Sequence, residues 1–165
     1  MASLASPDEN PHPSPQNPMQ YQLSIEVFGT GEDPKHRSHW GFVIHQPPRT
    51  FGDLLHVRPV NIERLWYEFE PRFGTDLNIM QALGLCKIAT LDSRQRRLAI
   101  EVISQEPAPR DGRRKCQDWV FSTLISLEVE ELVPAGTSEF WKGMVGVPAH
   151  GVQKAVGVNW SSIAK

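Results

Sequence analysis

The sequence predicts an α+β domain, an antiparallel sheet of about five strands followed by packed helices. Three observations predict it. From Tyr21 to Leu91 apolar residues alternate with polar ones, the period of a half-buried strand. Short segments rich in Gly, Pro and Asp separate these runs, which suits an antiparallel meander. From Asp92 onward the apolar spacing changes to that of helices, so strands come first and helices after.

The first strand opens at Tyr21, with Leu23, Ile25 and Val27 on the same face and Gln22, Ser24 and Glu26 on the other. Gly29 to Pro34 reads as a loop. The second strand, Ser38 to Gln46, puts Trp40, Phe42 and Ile44 on one face and His39, Gly41, Val43 and His45 on the other. His39 is thereby set opposite the aromatic face, beside a glycine that leaves room. Pro47 and Pro48 end it. A third strand, Asp53 to Arg58, carries His56 and Leu54 on one face. A fourth, Ile62 to Glu70, has Leu65, Tyr67 and Phe69 on one side, with Glu68 and Glu70 read as a solvated face. A fifth spans about Ala82 to Leu91 and contains Cys86.

Asp92 or Ser93 caps a helix running to about Gln105. The segment Pro107 to Gly112 cannot be helical. A second helix, Cys116 to Glu131, follows, with Trp119, Val120, Leu124 and Leu127 on one face, and a short third starts at Thr137 or Ser138. Residues 1–19, with four prolines among Ser, Asn and Gln, read as a disordered tail. The domain then covers 20–147, and 148–165 is a weakly patterned extension with a docked turn around Trp160.

The chain of 165 residues with net charge -2 is long enough for one well-buried domain and carries no basic stripe, which argues against a nucleic-acid partner. No apolar run approaches the roughly 18 residues of a membrane span, and the N-terminus lacks a secretory pattern. Two cysteines are too few for a secreted disulfide framework, so a reduced, cytoplasmic protein is expected.

Cys116 is the residue on which chemistry would be placed. It falls in the first turn of a helix, where free N–H groups and the dipole favour a thiolate, and Arg113, Arg114 and Lys115 precede it. The alternative is a small buried core residue. A cysteine nucleophile needs a base, and the base an orienting group. Among six histidines, His12 lies in the tail, His36 and His45 stand on either side of His39, before the second strand and at its end, and His150 comes late; His39 and His56 lie within strands, each in a mostly apolar context. Taken singly, each reads as a structural histidine bonded to backbone. As a zinc set, His39, His56 and Cys116 lack CxxC or HxxxH spacing, so no metal or other cofactor is expected.

The order of three short pieces is more informative: His39-Trp40-Gly41, Leu55-His56-Val57 and Lys115-Cys116-Gln117-Asp118-Trp119-Val120. It resembles the circularly permuted papain-like fold of the NlpC/P60 superfamily, in its lecithin:retinol acyltransferase-like branch, over roughly Tyr21 to Leu132. In layout the chain is similar to a group of small, mostly fungal proteins of unassigned activity, which share the His-Trp-Gly strand, a His-Val strand, an aromatic-Glu strand like Trp66 to Glu70, and a Cys-x-x-Trp-Val helix.

The resemblance implies Cys116 as nucleophile, His39 as general base and His56 as the orienting third residue, with backbone N–H groups at the Cys116 helix start as oxyanion hole. It departs from the acyltransferases at Lys115, where they have Asn, and at Asp118, where they have His; lipid specificity is not implied. The expected activity is that of a cysteine-dependent hydrolase or acyltransferase working on an amide or ester, with a small-molecule or peptide substrate. Two alternatives stand beside it. One is a non-catalytic domain of the same fold that binds a ligand or partner protein, which Lys115 favours. The other is an accessory protein condensing an acyl or aminoacyl substrate on the same thiol. If the permuted papain-like reading holds, the side chains of His39 and Cys116 meet across the groove between sheet and helix, within or near hydrogen-bond reach.

Overall fold

The computed structural model describes residues 19–78 and 81–163. The expected disordered tail thus lies, save for Met19, outside the described residues. The chain is α+β: a six-stranded antiparallel sheet with helices packed on one face. The strands are β1 (Tyr21–Phe28), β2 (His39–His45), β3 (Phe51–Asn61), β4 (Trp66–Asp76), β5 (Ala82–Leu91) and β6 (Trp160–Ser162), in the spatial order β4-β3-β2-β1-β5-β6. The helices are α1 (Ser93–Gln105), α2 (Cys116–Val129), α3 (Thr137–Lys142) and α4 (Ala149–Val156).

Strand parity sorts the two faces as the alternation predicts. Leu23, Ile25 and Val27 of β1 and Trp40, Phe42 and Ile44 of β2 join Trp119, Val120, Leu124 and Leu127 of α2 in the main core. Phe42 and Trp119 meet edge to face with ring centroids 5.7 Å apart, and Trp40 meets Trp141 at 5.2 Å. The opposite face carries a smaller cluster of Val43, Leu54, Leu77 and Leu85.

Three boundaries differ from the sequence reading, each for a local reason. β4 starts at Trp66 rather than Ile62, because Asn61 to Leu65 forms a turn. Asn61 Oδ1 accepts from the Arg64 N–H at 3.0 Å and Leu65 is left-handed, with φ 53°. β3 and β4 are both longer than expected and pair along almost their whole length. The extension from residue 148 is part of the domain: α4 packs Ala149 and Val152 into the core, and β6 adds a sixth strand beside β5. Gly84 makes that pairing feasible, since a Cβ there would run into the Trp160 ring. α1 is capped by Asp92 as expected. Its side chain accepts from the Gln95 N–H at 2.7 Å, while the Gln95 side chain accepts from the Asp92 N–H at 2.9 Å, a reciprocal capping box. No helix of the described residues is long and apolar enough to cross a membrane.

Candidate active site

Cys116 is the first residue of α2, 9% exposed, with its helix laid over β2. The cap before it is one-sided. The ammonium of Lys115 can only donate, but Asp118 Oδ2 accepts from the Lys115 N–H at 2.8 Å and fixes the entry of the helix. Gln117, fully buried, ties this turn to its surroundings. Its Nε2 donates to the Ser38 carbonyl and its Oε1 accepts from the Gly146 N–H, both at 2.8 Å. Ser38 directly precedes His39, so a single amide holds the turn that bears Cys116 against the start of β2.

The histidines lie on the other side of the sheet. His39 opens β2, and its Nε2 stands 2.8 Å from His56 Nδ1 on β3. His56 Nε2 stands 3.2 Å from Glu70 Oε1, directly across the β3–β4 ladder. Glu70 also accepts from Arg58 Nε and Arg72 Nε, each at 2.6 Å. Gly41 creates the space for this row, since a Cβ there would lie 2.9 Å from His56 Cβ. The proton positions follow from the far end. Glu70 as a carboxylate can only accept, so His56 carries its proton on Nε2 and offers Nδ1 as an acceptor. His39 must then donate from Nε2, which leaves the lone pair on Nδ1.

His39 is where the two faces meet. It lines a cavity of about 310 Å³ with Cys116, Gln117, Tyr67 and Leu65, and a second of about 390 Å³ with His56, Leu54, Phe28 and Arg72. The structure therefore brings Cys116 and His39 to one cavity and His56 directly behind His39. No hydrogen bond joins Cys116 to His39 among the described residues. Cys86 is buried elsewhere, on β5, where burial pushes its thiol up to about 12. His45 and His36 take no part in the row. His36 pairs at the surface with Asp33, and His150 lies in α4.

The charge state differs from the expected thiolate. Burial raises the Cys116 thiol above its ordinary value, and the nearby Asp118 charge adds to this; the N–H groups of Trp40, Gln117 and Cys116 itself act in the opposite direction. The cations preceding Cys116 do not reverse it, and one of them, Arg114, is turned to Asp111, which its side chain meets at 2.8 Å. Burial, with a smaller contribution from His56, lowers His39 to about 4. His56 is also lowered, burial outweighing the support of Glu70. The resting pair is thus a neutral thiol and a neutral imidazole.

Two further residues emerge that strand patterning did not assign to the site. Glu70, read as solvated, ends the histidine row. Tyr67, read only as an apolar-face residue, is 7% exposed and lines the Cys116 cavity. Burial raises its phenol above the ordinary value, followed by the Cys116 and Asp118 charges, with Arg37 opposing. Its backbone is pinned to the segment preceding Cys116: the Tyr67 N–H donates to the Pro109 carbonyl at 2.9 Å, and Arg110 Nε donates to the Tyr67 carbonyl at 3.3 Å. Among the described residues no group of three or more His, Cys, Asp or Glu is arranged to hold a metal ion. His39, His56 and Glu70 form a line rather than a converging ligand set.

Residues 25–134 match DUF6540, described as a family of unknown function. The chain belongs to that family. The match contains the second half of β1, β2 to β5, α1 and α2, and so Cys116, His39, His56 and Glu70. No curated protein and no solved structure matches the chain.

Proposed function

We propose that this member of the DUF6540 family is a cysteine-dependent hydrolase or acyltransferase that acts on an amide or ester through an acyl-thioenzyme, on a permuted papain-like fold. The observation that carries the reading is the row His39–His56–Glu70, which points the one unprotonated nitrogen of His39 away from its own partners. A histidine kept only for packing has no need of a second histidine and a carboxylate aligned behind it.

In this reading Cys116 Sγ attacks the substrate carbonyl carbon while its proton passes to His39 Nδ1, and the carbonyl electron pair moves to oxygen. Because the resting pair is neutral, proton transfer accompanies attack rather than preceding it. The imidazolium on His39 is stabilised by His56 Nδ1 and, beyond it, by the Glu70 carboxylate; neither needs to take the proton. Backbone N–H groups at the α2 start and the Tyr67 hydroxyl donate to the oxyanion. Collapse expels an amine or alcohol, which takes the proton from His39, and leaves a thioester on Cys116. Water or an acceptor hydroxyl or amine, deprotonated by His39, then attacks the thioester, and Cys116 leaves as the sulfur reclaims the proton.

A second reading has its own support. The same burial that keeps Cys116 protonated suits a non-catalytic domain that binds a ligand or partner protein in this groove. Turnover of activated esters by the purified protein, compared with Cys116→Ala and His39→Ala, separates the two. The catalytic reading expects turnover that both substitutions abolish. Turnover equal in all three proteins, or absent from all of them, favours the binding domain.

A further inference from the structure

The Cys116 cavity is electrically lopsided. One wall is built by Lys35, His36 and Arg37, from the loop between β1 and β2, and by Lys115 at the α2 cap. The other wall is apolar, with Pro59, Ile62 and Leu65 at the tip of the β3–β4 hairpin, where Ile62 stands 76% exposed. Among the described residues no carboxylate lines either wall. Asp33 and Asp118, which lie beside residues of the cationic wall, are already engaged. Asp33 accepts from the Lys35 N–H and pairs with His36 at 3.0 Å, and Asp118 accepts from the Lys115 N–H and lies 3.9 Å from Arg37. Among the described residues neither the Lys35 nor the Lys115 ammonium has an ion-pair partner.

Composition does not explain this clustering, since the chain as a whole carries a net charge of -2. Activation of the nucleophile does not explain it either: burial raises the Cys116 thiol, and the Asp118 charge raises it further. A cationic wall facing an apolar one concentrates its field in the cavity between them, where it acts on whatever enters.

We infer that the acyl donor received at Cys116 is anionic, with a carboxylate or phosphate close to the reacting carbonyl. Lys35 and Lys115 meet that charge, and Pro59, Ile62 and Leu65 cover the apolar remainder. The inference rests on the acyl-thioenzyme reading for its chemistry, yet its charge preference can be measured without turnover.

The test is the pair of rate constants for alkylation of Cys116 in the intact protein by iodoacetate and by iodoacetamide at one pH, read by peptide mass spectrometry. Their ratio cancels the fraction of thiolate, and free cysteine under the same conditions supplies the reference. The expected ratio exceeds that of free cysteine by roughly 10-fold at low ionic strength and falls toward it in high salt. Lys35→Glu, at an exposed position, and Lys115→Glu should each lower the iodoacetate rate more than the iodoacetamide rate. A ratio equal to that of free cysteine, unmoved by Lys35→Glu, would overturn the anionic substrate while leaving the nucleophile in place. A Cys116 inert to both reagents in the folded protein would remove the nucleophile itself, and the inference with it.

Discussion

His39 Nε2 and His56 Nδ1 stand 2.8 Å apart, and Glu70, 3.2 Å beyond His56, decides which ring holds the shared proton. A carboxylate on one edge of the sheet thereby sets the tautomer of a histidine two strands away. Glu70→Ala should remove that control. The expected result is a drop in kcat of roughly 10²-fold with KM little changed, together with a change in the tautomer signature of the His39 and His56 ring nitrogens by NMR. A variant that loses only stability, with both ring signatures intact, would reduce Glu70 to an anchor for Arg58 and Arg72.

Tyr67 supplies a different group to the Cys116 cavity. Tyr67→Phe keeps the ring in the core and removes one donor, so folding should be preserved. Loss of an oxyanion donor lowers kcat by about 10²-fold or more while substrate binding persists. An unchanged kcat would leave oxyanion stabilisation to the backbone of α2 alone.

Gly41 is required by a close approach rather than by its backbone angle. In Gly41→Ala the new methyl would lie 2.9 Å from His56 Cβ and 3.2 Å from Leu54 Cδ1. Overpacking of this kind costs about 1–3 kcal/mol, and here it also pushes His56 off His39. Chemical denaturation and turnover should both register the change. A variant as stable and active as the parent would show that the row has slack to spare.

Glu26 makes stability depend on pH. It is fully buried on β1, opposite Gly41 on one side and Leu85 on the other, and neither carboxyl oxygen has a hydrogen-bond partner among the described residues. Burial raises it from 4.5 to about 8. Since the folded value lies above the unfolded one, the neutral acid favours the fold fully below about pH 4.5, and that contribution is lost as pH rises toward 8. Glu26→Gln removes the loss, so its stability relative to the parent should climb between about pH 5 and 8, by on the order of 4 kcal/mol at the upper end. Parallel stability curves would mean that Glu26 finds a partner on folding.

How far the sequence could be read depended on the range of the interaction. β1, β5 and the Asp92 cap are local patterns, and their positions in the chain were legible. So was the parity that sends Trp40 to the core and His39 to the other face. Pairing across strands was not. The alternation around Glu70 places it opposite Tyr67 and Phe69, but only the β3–β4 register puts it beside His56. β6 was hidden for the same reason, since three residues of Trp-Ser-Ser become a strand through their pairing with β5. The charge on Cys116 is not legible, because neighbouring cations are visible in a sequence and depth of burial is not. Gln117, between Cys116 and Asp118, and Tyr67, between Trp66 and Glu68, carry no local signal of the groups they face.

The central claim is that Cys116 forms a thioester with an acyl group while His39 takes its proton. The most direct measurement is peptide mass spectrometry of the protein quenched with acid during turnover of an activated ester. The account predicts an increment of one acyl group on the peptide containing Cys116, absent in Cys116→Ala, strongly reduced in His39→Ala, and lost on treatment with hydroxylamine. An acyl increment found on Cys86 or on lysines instead, or one at Cys116 that His39→Ala leaves undiminished, would contradict it.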